Sequence, residues 1–450
     1  MRGRSPALPA RGRNTDAMEP TRRQLIGGAG VLAAPLALAG CGFIPTGASP
    51  SADAQTLTFT TWGTSAELTG FRRAIASFQK ARAGATVELN AVPYEQMFTN
   101  IDAQIQAGNP PDVFRVPYYT FGAYAGQGQL LDLSPHLSSG FADRFTPQAW
   151  AAVQSGGKPY GVPHHTDTSV VFVNRRALDD AGVGAVPQTA DDAWTWSQFR
   201  AVAQRLRRAQ PDRKYPFAVN WQGNGVTRWL SWLFQADGRF LNETLTASAI
   251  DSRAARTAVD FTRSFFPDRL VPANDSVKST TYAADTWYDQ TTAMVFSGAF
   301  AIPDADSALK FDWTATPAPR NVRAGGDFGG NALVATKGAE GKAELIAAFF
   351  EHVTQESQMR DFCERASLLP TRADLVEGGI EFAVRPELTP VLLGQARAVR
   401  AEDSAQVASP DMSKIISVLQ DGLEQAFVGG RGVDATVQAL ASGIDRAVGA

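Results

Sequence analysis

The chain has 450 residues, 44% of them apolar, and a formal net charge of −3. That length is too great for one compact core and suits two lobes, while a mildly acidic balance gives no footing for nucleic acid. Residues 1–40 hold six Arg against Asp16 and Glu19, so the rest of the chain is more acidic than the whole.

The first readable segment runs from Thr21 to Cys41. Arg22-Arg23 precede a short Gly/Ala-rich apolar run, which ends in Leu38-Ala39-Gly40-Cys41. A charged start, a short apolar stretch and small residues before a cleavage point form a secretory signal over residues 1–40, whose apolar run is too short to span a bilayer. The arginine pair resembles a twin-arginine export signal, although Leu25 stands where Phe is more usual. Leu-Ala-Gly-Cys resembles a bacterial lipobox, which implies lipidation of Cys41 and an extracytoplasmic, membrane-anchored location. Met1 and Met18 both stand as starts. With Cys41 so used, Cys363 has no disulfide partner and reads as a small buried hydrophobe on a helix.

Residues 41–55, rich in Pro, Gly and Ser, read as a flexible tether. Leu57 to Trp62 alternates apolar and polar residues as a strand does, and Leu68, Phe71, Ile75 and Phe78 follow with helical spacing. A second strand at 86–90, a helix at 98–105 and a third strand at 112–116 complete a β-α-β-α-β order. That order predicts a parallel sheet covered by helices, with ligands beyond the carboxyl ends of the strands. Further on, a strand is predicted at 170–174 and another at 333–335. Helices are predicted at 176–182, 196–208, 229–236, 259–266, 343–353, 355–366, 413–426 and 433–448.

An ordered set of segments then matters more than any one of them. It includes Thr60-Thr61-Trp62-Gly63, Gly108-Asn109-Pro110-Pro111-Asp112, Gly128-Gln129-Leu130-Leu131-Asp132 and Gly157-Lys158-Pro159-Tyr160-Gly161. Val173-Asn174-Arg175-Arg176, Gly329-Gly330-Asn331-Ala332 and Leu368-Leu369-Pro370-Thr371 follow in turn. Across nearly the whole of residues 56–450 this resembles the extracellular solute-binding proteins of ABC importers, in the carbohydrate-type family that includes maltose-binding protein. The resemblance implies a two-lobed α/β fold of the periplasmic-binding-protein type (class II), with discontinuous lobes joined by three crossings. Lobe 1 is expected at 56–166 and 331–369, and lobe 2 at 167–330 and 370–450. It further implies a monomer with no catalytic residue, cofactor or metal, which hands a sugar to permease subunits powered by a separate ATPase. Similar proteins often carry Trp shortly after the glycine at 298; here Phe300 stands in that place.

The chemistry of a sugar guides the choice of site residues. Its C–H face wants an aromatic platform, and its hydroxyls want carboxylates, amides and arginine. Trp62, Tyr118, Trp221, Trp287 and Phe300 are the expected platforms. Glu67, Tyr119, Asp167, Asn224 and Asn331 are the expected hydroxyl partners, with Ser65 and Gly330 as close-approach donors. Tyr118-Tyr119 leaves two options open: one stacked and one packed ring, or a ferric-ion site with oxygen ligands. His164-His165 lie on an extended segment, where neighbours face opposite ways, so zinc is not expected. A secreted glycoside hydrolase built on Glu67, Asp167 and Asp285 is the remaining alternative.

Overall fold

A computed structural model describes residues 55–450; the expected signal at 1–40, Cys41 and the tether up to residue 54 lie outside the described residues. The chain begins with β1 (Thr56–Thr61), α1 (Ser65–Ala81), β2 (Thr86–Ala91), α2 (Tyr94–Gln106) and β3 (Val113–Pro117). β1 pairs in parallel with both β2 and β3, as the β-α-β-α-β order predicts. α3 (Tyr118–Gly126) follows β3 without a break. A short hairpin of β4 (Gln154–Ser155) and β5 (Lys158–Pro159) leads into β6 (Gly161–Asp167).

β7 (Ser169–Asn174), β8 (Tyr215–Val219), β9 (Thr292–Gly298) and β10 (Trp313–Thr316) make a second sheet, ordered β10-β7-β9-β8. β11 (Gly329–Ala335) returns to the first sheet, whose order is β2-β1-β3-β11-β6. It lies antiparallel to both β3 and β6, so the first sheet is mixed where the sequence predicted a parallel one.

α1 forms because its apolar residues fall on one stripe and its start is capped. Phe71, Ala74, Ile75 and Phe78 are buried against the sheet. The Thr64 hydroxyl accepts from the Glu67 amide at 3.3 Å, and the Thr64 amide donates to Glu67 Oε2 at 2.7 Å, a reciprocal capping box. The helix expected at 259–266 instead spans Arg253–Arg263. Its start is set by Ser252, whose hydroxyl accepts from the Ala255 amide, and its early buried face is built from Ala255 and Ala258, too small to stand out as an apolar period. β9 went unpredicted because both its faces are buried, which removes the alternation that marks a half-buried strand.

Two sheets mean two half-structures, and the connections between them place the site. The chain leaves the first sheet at Asp167, enters the second at Ser169 and is back at Gly329, opposite Asp167. A third strand of chain joins there: Leu369 and Thr166 exchange backbone hydrogen bonds, and the Thr371 hydroxyl donates to the Pro163 carbonyl at 2.9 Å.

Gly330 sits at this crowded point. Its φ is +97°, and a Cβ there would lie 2.4 Å from the His165 carbonyl oxygen and from the Thr166 Cα. The glycine thus serves the close approach of β6. Gly330→Ala is expected to destabilise the protein by more than about 1–2 kcal/mol, because backbone strain and a backbone clash add. Gly128→Ala, with φ +66° but open space around it, should cost only the strain. Urea denaturation of the two variants side by side checks this; equal losses would remove the clash argument.

Candidate functional site

The carboxyl ends of β1 and β3, the end of β6 and the start of β11 face loops of the second sheet across a cleft of about 690 Å³. That is well inside the usual size of a small-molecule site, about 300–1,000 Å³. Of the residues expected from sequence, Trp62, Glu67, Tyr119, Asp167, Asn224, Phe300, Gly330 and Asn331 line it.

Four expected residues do not. Trp221 is fully buried, stacked on Phe427 at 4.9 Å, with its indole N–H donating to the Asp275 carbonyl at 2.8 Å. It follows the end of β8, where neighbouring side chains leave on opposite faces, so Asn220 reaches the cleft and Trp221 the core. Trp287 is packed among Phe172, Phe311 and Trp313 on a buried helical turn. Tyr118 is buried against Phe328, its hydroxyl donating to the His165 carbonyl at 3.1 Å. Ser65 is exposed at the first turn of α1 and outside the cleft lining.

Tyr119 faces the cleft, its hydroxyl 2.6 Å from that of Tyr94. The tandem tyrosines therefore engage separate partners and do not converge on one ion. Burial raises both phenols well above their ordinary range. Asp285, a carboxylate of the hydrolase alternative, is exposed outside the cleft lining.

The first-sheet wall is organised by a residue that the motifs did not single out. Arg115 stands in β3, whose every residue is buried. Its Nη2 pairs with Glu67 Oε1 at 2.5 Å, and its Nη1 donates to the Trp62 carbonyl at 2.8 Å. The guanidinium also lies over the Trp62 ring, 4.6 Å from its centre. Arg115 Nη2 and Asn331 Nδ2 both approach His165 Nε2, at 2.9 and 3.0 Å. A guanidinium only donates, so Nε2 accepts and the His165 proton sits on Nδ1, which contacts His164 Nδ1 at 3.0 Å. Burial, then the Arg115 charge, pushes His165 well below its ordinary pKa, keeping the ring neutral.

The facing wall centres on Arg228, with Asn220, Tyr282 and Asp327, none of them among the expected site residues. Arg228 Nη2 lies 3.7 Å from Asp167 Oδ2, and its guanidinium is 5.6 Å from the Phe300 ring centre. Asp167 Oδ1 accepts from the Ala299 amide at 2.8 Å. Asp327 Oδ1 accepts from the Ser169 amide and the Ser231 hydroxyl. A signal for Arg115 was present, since a charge in an apolar central strand demands a partner. Arg228 and Asp327, in Gly-rich stretches without periodicity, offered none.

A sequence profile of the bacterial extracellular solute-binding proteins matches residues 62–360, and the chain belongs to that family. The arabinooligosaccharide-binding protein of Bacillus subtilis is 30% identical over 127 residues, which are 27% of this chain and 28% of that protein. The match thus spans under a third of that relative's length. Among solved structures, the ABC substrate-binding protein Lmo0181 of Listeria monocytogenes, in complex with cycloalternan, superposes with a TM-score of 0.73 at 20% identity. It covers 88% of this chain and 99% of that one. An ABC transporter solute-binding protein of Thermotoga lettingae bound with α-D-tagatose gives 0.72 at 18% identity, over 88% and 100% of the two chains. These likenesses establish the two-lobed solute-binding fold.

Asp167 gives the site a dependence on pH. Burial raises its pKa to about 7, helped by the Asp327 charge and opposed by Arg228 and the Ala299 amide. A carboxyl raised above its unfolded value of about 3.9 stabilises the fold below that pH and loses its contribution as pH rises through 7. Between pH 5 and pH 8 the melting temperature is expected to fall further in the wild type than in Asp167→Asn. Parallel melting curves for the two proteins would refute this.

Proposed function

We propose that this chain captures a carbohydrate in the cleft and delivers it to an ABC importer. The observation that carries this is the composition of one cavity: Trp62, Tyr119, Tyr282 and Phe300 stand among Asn224, Asn331, Asp167 and Arg228. Rings cover the apolar face of a sugar, and amides, carboxylate and guanidinium take its hydroxyls. Relatives described as binding arabinooligosaccharide and cycloalternan favour the same ligand class. Nothing in this role requires a catalytic group.

Lobes at 56–166 with 331–369, and 167–330 with 370–450, would close about the Asp167 and Gly329 crossings in a hinge motion. The closed pair would present a surface from both lobes to the permease. Lipidation at Cys41, with residues 41–55 as leash, would keep the receptor beside it and raise its effective concentration there.

A thermal-shift screen across mono- and oligosaccharides, ferric chelates and polyamines is expected to raise the melting temperature with sugars alone. Trp62→Ala should then weaken that sugar's binding roughly fivefold to 150-fold by calorimetry, the worth of about 1–3 kcal/mol of aromatic contact. A shift with iron or polyamine but no sugar, or release of reducing sugar from glycans, would overturn the reading.

For the anchor, Cys41→Ser is expected to move the protein from the membrane fraction to the soluble fraction of its host. Retention on the membrane would exclude Cys41 as the attachment point.

A further inference from the structure

Two carboxylates face one guanidinium on the second-sheet side of the cleft. Asp167, at the end of β6, and Asp327, just before β11, are both buried. Arg228, in the helical turn Gly223–Trp229, is shared between them. The two carboxylates are not held alike. Asp327 Oδ1 accepts from the Ser169 amide at 3.1 Å and from the Ser231 hydroxyl at 3.2 Å. Asp167 Oδ1 accepts from the Ala299 amide, but Oδ2 accepts no hydrogen bond among the described residues. Its cation, Arg228 Nη2, stops at 3.7 Å, too far for a hydrogen bond. Gly298 leaves the room in which this oxygen sits, since a Cβ there would overlap it.

The other groups around Asp167 do not cancel the extra negative charge. Across the cleft Arg115 is taken up by Glu67, and His165, two residues earlier on β6, is neutral. Burial raises the phenols of Tyr119 and Tyr282 and keeps them un-ionised. Arg397 lines a small cavity behind Asp167, but it is exposed and donates to the Val376 carbonyl at 2.7 Å. Like charges buried together retain a proton, and hydrogen bonds favour a carboxylate's charged form. The proton therefore goes to the carboxylate with fewer donors, Asp167, in keeping with the pKa of about 7 that burial gives it.

A sugar hydroxyl changes this balance. It accepts and donates at once, so beside the pair it can accept from Arg228 and donate to Asp167 Oδ2. The second bond needs Oδ2 without its proton, and a hydrogen bond to an ionised oxygen is roughly twice as strong as one between neutral groups.

We propose that Asp167 couples capture to proton release: the ligand binds the ionised carboxylate, a ligand hydroxyl donates to Oδ2, and the proton that Oδ2 held passes to solvent. Capture is then tightest in neutral to alkaline medium and loosens in acid. This rests on the carbohydrate reading of the cleft and adds a regulation by pH that the ligand class does not itself require.

Calorimetry with galactose, maltotriose, cellotriose and arabinotriose, and with any other uncharged sugar that raises the melting temperature, tests it. For a sugar that binds, affinity is expected to rise roughly fivefold to tenfold from pH 6 to pH 8, the span over which a carboxyl of pKa about 7 ionises. At pH 7, heats in phosphate and in Tris, which differ in ionisation enthalpy, should report release of about half a proton per site. Asp167→Asn should remove both the release and the rise. Asp327→Asn keeps Asp167 but removes the competing charge, so the rise should persist and move to lower pH; it alone decides if Asp167→Asn binds nothing. Equal affinity at pH 6 and pH 8, proton uptake, release undiminished in Asp167→Asn, or a profile unmoved by Asp327→Asn each overturns the coupling and leaves the sugar site standing. No binding by any uncharged sugar overturns the carbohydrate reading, and the coupling with it.

Discussion

One buried guanidinium sets the geometry of half the cleft. Arg115 lies in the middle of an apolar sheet, where an unpaired charge would cost several kcal/mol. Glu67 offsets it, and Glu67 is also the residue that closes the capping box of α1. The same guanidinium holds the Trp62 carbonyl and underlies its ring, and it fixes the His165 tautomer that Asn331 meets. The ends of β1, β3, β6 and β11 are therefore tied to a single charge. Side chains so constrained lose little freedom when a ligand arrives, which is a source of affinity independent of any added contact.

The opposite wall is held less firmly. Arg228 reaches Asp167 only at 3.7 Å, against 2.5 Å for Arg115 and Glu67, while the Nε of each guanidinium is buried without a hydrogen-bond partner. Asp167 ends a strand of the first sheet, whereas Arg228 follows a strand of the second, so this long ion pair spans the two halves. Asp327, anchored by Ser169 and Ser231, adds a second carboxylate near it. A closely paired guanidinium set against a loosely paired one is an arrangement in which a ligand's hydroxyls can complete the looser contact.

The sequence carried the first sheet well, because β1 alternates and α1 keeps a clean 3.6-residue stripe behind a Thr-x-x-Glu cap. It carried the helices Ala343–Val353 and Val433–Val448 nearly to the residue. It did not carry β9, buried on both faces, or α3, whose apolar residues surround it on all sides and follow β3 without a gap. For the site, residues just after strand ends were found, since that is where α/β sheets place ligands. Errors came at adjacent pairs. Trp221 was favoured over Asn220, and Tyr118 was set beside Tyr119, although which member of each pair faces the cleft depends on strand register and helix phase. Those are set by tertiary packing, and no local pattern encodes them.

The fate of the nine tryptophans has an optical corollary. Among the described residues the cleft is lined by Trp62 alone of its kind, while Trp221, Trp229, Trp232 and Trp287 are sealed in the interior. Intrinsic emission from this protein is therefore dominated by indoles that report whether the chain is folded. Occupancy of the cleft would modulate a single fluorophore, one already in contact with the Arg115 cation, so a binding signal would emerge as a small spectral change on a large constant background.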